Sequence, residues 1–187
     1  GNNVTEVSLD ADGNVTGGVL PAQGMRIVVV VGAAANAVSL GRPDYSAPAG
    51  APYTAEEVTV RTPAGHVLTG TLTRPTGTTA PVPAVVTITG SGAQDRDEYI
   101  AVAGGWRIFR QVADTLGRRG IAVLRLDDRG VGGSGGDVNG TSTDFADDIR
   151  AGIAFLRSRP DIDPARIGLV GHSEGGSPAA GEAEGAP

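Results

Sequence analysis

The sequence contains no cysteine, two histidines and few aromatic residues. Without cysteine, disulfides, thiolate catalysis and cysteine-ligated metals are excluded. The two histidines, His66 and His172, are too few for a histidine-rich metal site. Aromatic residues make up 4% of the chain, so the core must be built mainly from aliphatic side chains. We therefore expect a protein that works without a metal or another cofactor.

The sequence also lacks lysine- or arginine-rich runs and long apolar stretches. Its formal net charge is -6, which argues against nucleic acid or anionic membrane as a partner. No stretch reaches the ~18 consecutive apolar residues that a membrane span needs. With 187 residues, 40% of them hydrophobic and 19% charged, the chain is typical of one globular domain with a small addition. Neither nucleic acid nor a membrane is therefore expected as a partner, and the oligomeric state is left open.

The first part of the chain differs in composition from the rest. Residues 4–9 and 15–20 are predicted strands around a turn at 10–14, and residues 41–52 are rich in Gly, Pro and Ala. We interpret 1–52 as a small β appendage with a linker, and 53–187 as a separate domain. The segment from Met25 to Ala37 is interpreted as a strand and a small-residue turn; the alternative is a secretory signal. The compartment, cytoplasmic or exported, is left open between them.

From residue 53 onward, predicted strands and helices alternate. Alternating and β-branched residues predict an antiparallel hairpin at 58–62 and 67–73, with His66 exposed in its turn. Apolar runs and helical periodicity then predict strands at 84–89, 121–126 and 167–170 and helices at 106–119 and about 141–159. This order is typical of an α/β protein with a parallel sheet. Right-handed crossovers would bring the ends of the parallel strands to one edge, so Ser91 and Ser173 are expected to be close.

A pentapeptide after the last predicted strand carries the strongest motif. Gly171-His172-Ser173-Glu174-Gly175 fits G-x-S-x-G, and the apolar run 167–170 before it is interpreted as a short buried strand. In a nucleophile elbow, the serine lies on a sharp strand-to-helix turn that exposes its hydroxyl. Glycines two residues before and after the serine let strand and helix approach closely. In a chain with 30 glycines, an ordinary serine in a glycine-rich turn is the alternative.

Two further glycine-rich loops follow predicted strands. The backbone N–H groups of Gly90-Ser91-Gly92 can point at an anionic oxygen, while the charged run 95–98 is interpreted as a solvated or self-paired cluster. Gly130, Gly132 and Gly135 fit G-x-G-x-x-G, but no helix opens directly from them, as a dinucleotide site requires. We interpret that loop as structural, with dinucleotide binding as a distant alternative.

Together, three blocks make the chain resemble the α/β-hydrolase superfamily. They are Thr89–Gly92 with 94–97, residues 127–134, and residues 171–176. Over about residues 54–176 the chain is most similar to bacterial esterases and serine aminopeptidase-like hydrolases. The resemblance implies the N-terminal part of an α/β-hydrolase fold: a β-hairpin, then a parallel βαβαβ unit that ends in the elbow.

The resemblance also implies roles for individual residues. Ser173 would be the nucleophile, within an elbow formed by Gly171, His172 and Gly175. The backbone N–H of Glu174 would supply one oxyanion-hole donor, and the loop after Thr89 the second, from Ser91 with Gly92 nearby. The ring of His172 is not expected to reach the Ser173 hydroxyl, because neighbouring residues of a strand-to-turn segment point in different directions.

One departure from the family pattern concerns the triad, which runs in the order serine, acid, histidine in this fold. Residues 177–187 contain no histidine. The resemblance implies a serine hydrolase that cleaves small-molecule carboxylic esters through an acyl-enzyme, and we expect this chain to be an incomplete one, without the triad acid and histidine. The alternatives are a peptidase of the prolyl-oligopeptidase type and a non-catalytic hydrolase remnant or binding module.

Overall fold

The computed structural model describes residues 6–21, 25–29, 31, 43–100 and 105–176. The chain forms two compact units, one of residues 1–44 and 101–105 and the other of residues 45–100 and 106–187. The division at residue 52 that the composition suggests stays a prediction. Within the described ranges, no helix is long and apolar enough to cross a membrane.

The first unit contains a three-stranded antiparallel sheet in the order β1-β2-β3. Its strands are β1 (Glu6–Leu9), β2 (Val15–Leu20) and β3 (Met25–Val28). In the turn between β1 and β2, the Asp10 carboxylate accepts the backbone N–H groups of Asp12 and Asn14. Residues 25–28 of the segment with two interpretations thus form a strand, whereas residues 32–37 lie outside the described ranges.

The second unit is built on a five-stranded mixed sheet in the order β10-β6-β9-β5-β4. β4 and β5 form an antiparallel hairpin, β5 pairs antiparallel with β9, and β6 pairs parallel with both β9 and β10. A hairpin followed by a parallel βαβαβ unit was the sequence prediction, and the α/β class is confirmed. Its elements are β4 (Tyr53–Arg61), β5 (Val67–Pro75), β6 (Val82–Ile88), β7 (Tyr99–Ile100), β8 (Trp106–Arg107), α1 (Ile108–Gly117), β9 (Ala122–Leu126), α2 (Ser142–Arg157) and β10 (Ile162–Gly171).

The main core of this unit lies between the sheet and α2. Leu72, Val86, Leu124, Leu156 and Ile162 are buried in one cluster, with aliphatic neighbours packed around them. Burying a side chain of this size contributes about 1.5–3 kcal/mol each. The core is thus built from Leu, Ile, Val and Ala, as the small number of aromatic residues predicts.

Both helices follow from local sequence, with one shift. α2 begins after Thr141, whose hydroxyl accepts the Asp144 N–H while the Asp144 carboxylate accepts the Thr141 N–H. This reciprocal arrangement is a capping box. α1 begins at Ile108 rather than at Trp106 as predicted, because Trp106 pairs with Ile100 in the short ribbon β7–β8.

The strand before the elbow differs from its prediction. It was expected to be short and buried at 167–170, but β10 runs from Ile162 to Gly171, and Gly168 is exposed. β10 pairs in parallel with β6 at Ile162, opposite Val82, and after an irregular stretch from Ile167, opposite Ala84, to Gly171, opposite Ile88. Within the described residues β10 is an edge strand of the sheet, which explains why its apolar side chains are only half-buried.

Candidate active site

The G-x-S-x-G segment forms a tight turn at the end of β10. Ser173 begins a 3-10 turn, Ser173–Gly175, and has φ +52°, in the left-handed region that residues other than glycine rarely adopt. A Cβ on Gly171 would overlap the carbonyl oxygen of Gly175. A Cβ on Gly175 would overlap the carbonyl oxygens of Ile88 and Thr89. The close approach of backbone to backbone therefore requires glycine at both positions.

The loop after β6 lies beside this turn. The His172 N–H donates to the Ile88 carbonyl at 3.1 Å. A Cβ on Gly90 would lie 3.2 Å from the Ser173 Cβ. Gly92 has φ +90°, which favours glycine there as well. Because β6 and β10 are adjacent parallel strands, their C-terminal ends bring the two loops together, at Gly90 and Ser173.

A cavity of about 690 Å³ opens between these loops, the sheet and α2. Ser91 and Gly92 line it from one loop, and Glu174 and Gly175 from the elbow. Apolar side chains, among them Phe145, line it as well. Four of the seven candidate site residues predicted from the sequence thus line this cavity. Gly171, His172 and Ser173 lie at the turn but are not among its lining residues.

The ring of His172 is held by a carboxylate that sequence reasoning missed. His172 Nδ1 lies 2.8 Å from Glu98 Oε1, and no hydrogen bond joins this ring to the Ser173 hydroxyl in the described part of the chain. The same Glu98 oxygen accepts the Gly90 N–H at 2.9 Å. Glu98 is buried and has φ +51°. One oxygen therefore contacts both loops of the candidate site.

The charged run 95–98 was expected to be solvated or paired within itself, and this was wrong. Arg96, Asp97 and Glu98 are buried, with 4%, 0% and 2% of their surface exposed. Arg96 forms two side-chain hydrogen bonds with Asp127, at 3.0 and 2.8 Å, and Asp97 pairs with Arg125. A visible signal was Arg125 itself, a charged residue inside the apolar strand β9.

Burial and pairing act on these charges in opposite directions. Burial by itself would lower the pKa of Arg96, but hydrogen bonds and charges from Asp127 and Glu57 outweigh it, and the pKa is raised. Burial raises the pKa of Asp97, although the Arg125 charge works against the increase. Arg96 therefore stays charged. The two ion pairs connect the loop 95–98 to β9 and to Asp127 just after it.

Asp128 holds the other side of the glycine loop. Its carboxylate accepts the Thr89 hydroxyl at 2.7 Å and the Gln94 N–H at 2.9 Å. Burial raises the pKa of Asp128 to about 6, although these two hydrogen bonds act in the opposite direction. Asp128 thus contacts residues at both ends of the loop that carries Ser91 and Gly92.

In the segment with the G-x-G-x-x-G pattern, several backbone donors are already used. Gly130 N–H donates to the Gly135 carbonyl, and Gly135 N–H donates to the Val67 carbonyl. Ser134 donates its hydroxyl hydrogen to the Asp127 carbonyl. The segment closes on itself and on β5, which supports the structural interpretation over dinucleotide binding.

His66 is not an exposed turn residue, contrary to the sequence prediction. Its side chain is 13% exposed, with Nε2 3.1 Å from Asp148 Oδ1 and Nδ1 3.0 Å from the Thr62 hydroxyl. Asp148 also accepts Arg129 Nε at 2.8 Å. Histidine and aspartate lie 82 residues apart in sequence, so a local pattern gave no sign of the pair. It joins the hairpin turn to α2.

Comparison with known proteins adds a family and several relatives. Residues 64–186 match the family model described as X-Pro dipeptidyl-peptidase (S15 family). Esterase EstD of Thermotoga maritima is 33% identical over 134 residues, which cover 71% of this chain and 29% of that protein. An uncharacterized protein of Mycobacterium tuberculosis is 37% identical over 79 residues, 42% of this chain and 27% of that one.

Solved structures of two esterases share the fold. A structure of the Pyrococcus furiosus esterase Pf2001 superposes with a TM-score of 0.57 at 23% identity, covering 74% of this chain and 47% of that one. Brefeldin A esterase, described as a bacterial homologue of human hormone sensitive lipase, gives 0.52 at 20% identity, covering 76% and 37%. The chain thus spans less than half the length of these relatives.

Proposed function

Because the chain belongs to the X-Pro dipeptidyl-peptidase (S15) family, within the α/β-hydrolase superfamily, we propose that the full-length protein is a serine hydrolase with Ser173 as its nucleophile. The family resemblance predicted from the three loop blocks is confirmed, including the similarity to bacterial esterases. The proposed reaction is hydrolysis of a carboxylic ester through an acyl-enzyme.

The observation that carries this proposal is the backbone of the elbow. Ser173 has a left-handed conformation between two glycines that admit no Cβ, at the end of a strand. Strained residues of this kind cluster at functional sites. A nucleophile elbow needs this geometry, because the serine hydroxyl must project from the turn toward the substrate. A glycine-rich turn with an ordinary serine would not need the strain at Ser173.

The proposed mechanism uses the two neighbouring loops. The Ser173 hydroxyl oxygen attacks the acyl carbon while a base takes its proton, and the negative charge develops on the carbonyl oxygen. The backbone N–H groups of Glu174 and Ser91 would bind that oxygen, each contributing about 3 kcal/mol to the lowering of the barrier. The bond to the alcohol then breaks, the alcohol takes the proton, and water releases the acid from the serine.

We assign the general base and the triad acid to residues outside 1–187. The chain covers 29% of Esterase EstD, and no histidine hydrogen-bonds to the Ser173 hydroxyl within the described ranges. An unassisted serine hydroxyl is a weak nucleophile, so the reaction requires such a base. The proposed function is therefore tested on the full-length protein.

A peptide substrate is the second candidate. It is favoured by the description of the matching family as X-Pro dipeptidyl-peptidase. Ester and peptide cleavage share the nucleophile and the oxyanion donors, so the two candidates differ in the leaving group. Rates on p-nitrophenyl esters and on X-Pro p-nitroanilides, compared as kcat/KM, decide between them.

A fluorophosphonate probe and the Ser173→Ala variant test the nucleophile. We expect the probe to label the wild-type protein and not the variant, and kcat to fall by about 10⁴-fold or more. Ser158→Ala is the matched control, because Ser158 lies at the end of α2 and its hydroxyl donates to Phe155. Equal labelling of Ser173→Ala would contradict the assignment. Absence of both labelling and hydrolysis in the wild-type protein would favour the non-catalytic remnant.

A further inference from the structure

We propose that Glu98 is a positioning residue that fixes the loop 90–92 against the elbow through a single carboxylate oxygen. The inference rests on the proposed role of Ser173 and concerns how its surroundings are held. Glu98 follows the ion-paired residues Arg96 and Asp97 in sequence, and neither of those side chains contacts the elbow in the hydrogen bonds and ion pairs of the described residues.

One carboxylate oxygen of Glu98 contacts both loops of the candidate site. Glu98 Oε1 accepts the Gly90 N–H at 2.9 Å and lies 2.8 Å from His172 Nδ1. Gly90 directly precedes Ser91, the proposed oxyanion donor, and His172 directly precedes Ser173. A single oxygen therefore links the residues that come immediately before the donor and before the nucleophile. Movement of either loop would lengthen one of the two contacts.

The backbone is strained at Glu98 and at Ser173, the two ends of this link. Among the described residues, Glu98 and Ser173 are the two non-glycine residues with positive φ, at +51° and +52°. Such conformations persist only where the surrounding structure imposes them, and they cluster at functional sites. Both residues converge on Gly90, where a Cβ would lie 2.9 Å from Glu98 Oε1 and 3.2 Å from the Ser173 Cβ.

The surroundings of the Glu98 carboxylate differ from those of the other buried acids near it. Asp97 and Asp127 are buried against the guanidinium groups of Arg125 and Arg96, as expected of structural charges. Glu98 is equally buried, but its Oε1 faces a backbone N–H and a ring of the elbow, and its Oε2 is buried with no hydrogen-bond partner among the described residues. Leaving such an atom unpaired is unfavourable for folding. The position is therefore better explained by the geometry of the site than by stability.

The expected consequence is a loss in kcat. Without Glu98 the Gly90 N–H is free to turn, and the following peptide no longer points at the position of the oxyanion. Oxyanion donors act in the transition state, so their displacement lowers kcat and leaves KM nearly unchanged. We expect Glu98→Ala to lower kcat by about 10- to 100-fold, less than the 10²- to 10³-fold that follows removal of an oxyanion donor.

Conservative variants separate positioning from charge. In Glu98→Gln the side-chain carbonyl can still accept the Gly90 N–H, so kcat is expected to stay within about threefold of wild type. Glu98→Asp keeps the charge but is one methylene shorter, so its kcat is expected to fall. Glu56→Gln is the control, because Glu56 pairs with Arg159 and makes no contact with either loop among the described hydrogen bonds.

The experiment combines kinetics on p-nitrophenyl butyrate with hydrogen–deuterium exchange on the full-length protein. In Glu98→Ala we expect lower kcat at constant KM, and faster exchange in peptides covering 88–93 and 170–175 but not 122–126. If Glu98→Ala does not fold, Glu98→Asp supplies both measurements. An unchanged kcat, a rise in KM alone, or unchanged exchange in both loops would overturn the proposal. If the wild-type protein neither hydrolyses the ester nor binds a fluorophosphonate, the proposed function fails, whereas the exchange result still supports or overturns the link itself.

Discussion

Two pairs of adjacent acids, Asp97-Glu98 and Asp127-Asp128, lie on neighbouring loops. In each pair one acid binds an arginine and the other holds the glycine loop. The first acid of each pair is buried against an arginine: Asp97 meets Arg125, and Asp127 meets Arg96. The second acid holds the glycine loop through uncharged groups. Glu98 accepts the Gly90 N–H, and Asp128 accepts the Thr89 hydroxyl and the Gln94 N–H.

The difference shows how a strained loop can be held on a rigid base. The arginine-paired acids lie on the sheet side and connect each loop to the other: Arg96 comes from the loop of Asp97, and Arg125 from the strand before Asp127. Breaking such a buried pair is costly because it leaves an uncompensated charge. The second acids contact the glycine loop, whose residues Thr89 and Gly90 line the cavity, so their loss should alter local geometry more than global stability.

Asp127→Ala, which removes an arginine-paired acid, should have the largest effect on the free energy of unfolding. Asp127 is 2% exposed and accepts the backbone and side chain of Arg96 as well as the Thr69 hydroxyl. Leaving Arg96 with Glu57 alone should lower the free energy of unfolding by about 3–5 kcal/mol. Denaturant unfolding measures the change.

The double variant Arg96→Leu/Asp127→Ala is the control for that experiment. It removes both charges, so no unpaired charge stays buried, and it should lose less stability than Asp127→Ala alone. A double variant at least as unstable as the single one would show that packing, and not the unpaired charge, dominates at this position.

Asp128→Asn, which removes the charge of a loop-holding acid, should have an intermediate effect, on the pH dependence of stability. The pKa of Asp128 is raised from 3.8 to about 6, so the folded protein binds this proton more tightly than the unfolded chain. Wild-type stability should therefore fall as the pH rises from about 4 to about 6, by an amount on the order of 3 kcal/mol from this group. Asp128→Asn should lack that part of the decrease, and unfolding curves at several pH values measure it.

Asp114→Asn provides the matched control for the pH series. Its carboxylate pKa is lowered by hydrogen bonds from Arg118 and Tyr53, so it contributes in the opposite direction and at lower pH. It should leave the contribution of Asp128 between about pH 4 and 6 in place, whereas an Asp128→Asn curve parallel to that of wild type over this range would contradict the assignment of Asp128.

Glu57→Gln should have the smallest effect. Glu57 accepts Arg96 Nη1 at 2.8 Å, but its side chain is 67% exposed. Exposed ion pairs contribute about 0–1 kcal/mol and are weakened by salt. We expect a change below about 1 kcal/mol that shrinks in high salt. A loss comparable to that of Asp127→Ala would remove the distinction between the buried and the exposed partner of Arg96.

Local sequence patterns predicted most of the architecture of the second unit. Apolar runs identified β6, β9 and β10, and the serine flanked by glycines identified the turn at Ser173, because both signals lie within a few residues. The burial of β10 was predicted wrongly, because position in a sheet depends on which strands lie on either side and not on the strand's own composition.

The side-chain connections of the candidate site were beyond such patterns. Glu98 and His172 are 74 residues apart, and His66 and Asp148 are 82 apart, so neither pair leaves a periodic signal. The charged residues of 95–98 looked like a surface segment because their arginine and aspartate partners lie on β9 and just after it. Arg125 between apolar neighbours was the one local sign that a buried counter-charge had to exist.

The crowding at Gly171 and Gly175 has a genetic consequence. Any single-base change of a glycine codon that is not silent or a stop introduces a residue with a Cβ, and neither position has room for one. Gly176, one residue further on, has nothing within 4 Å of its would-be Cβ. In a library of single-base variants selected for activity, missense alleles at codons 171 and 175 should disappear, while alanine and serine alleles at codon 176 survive.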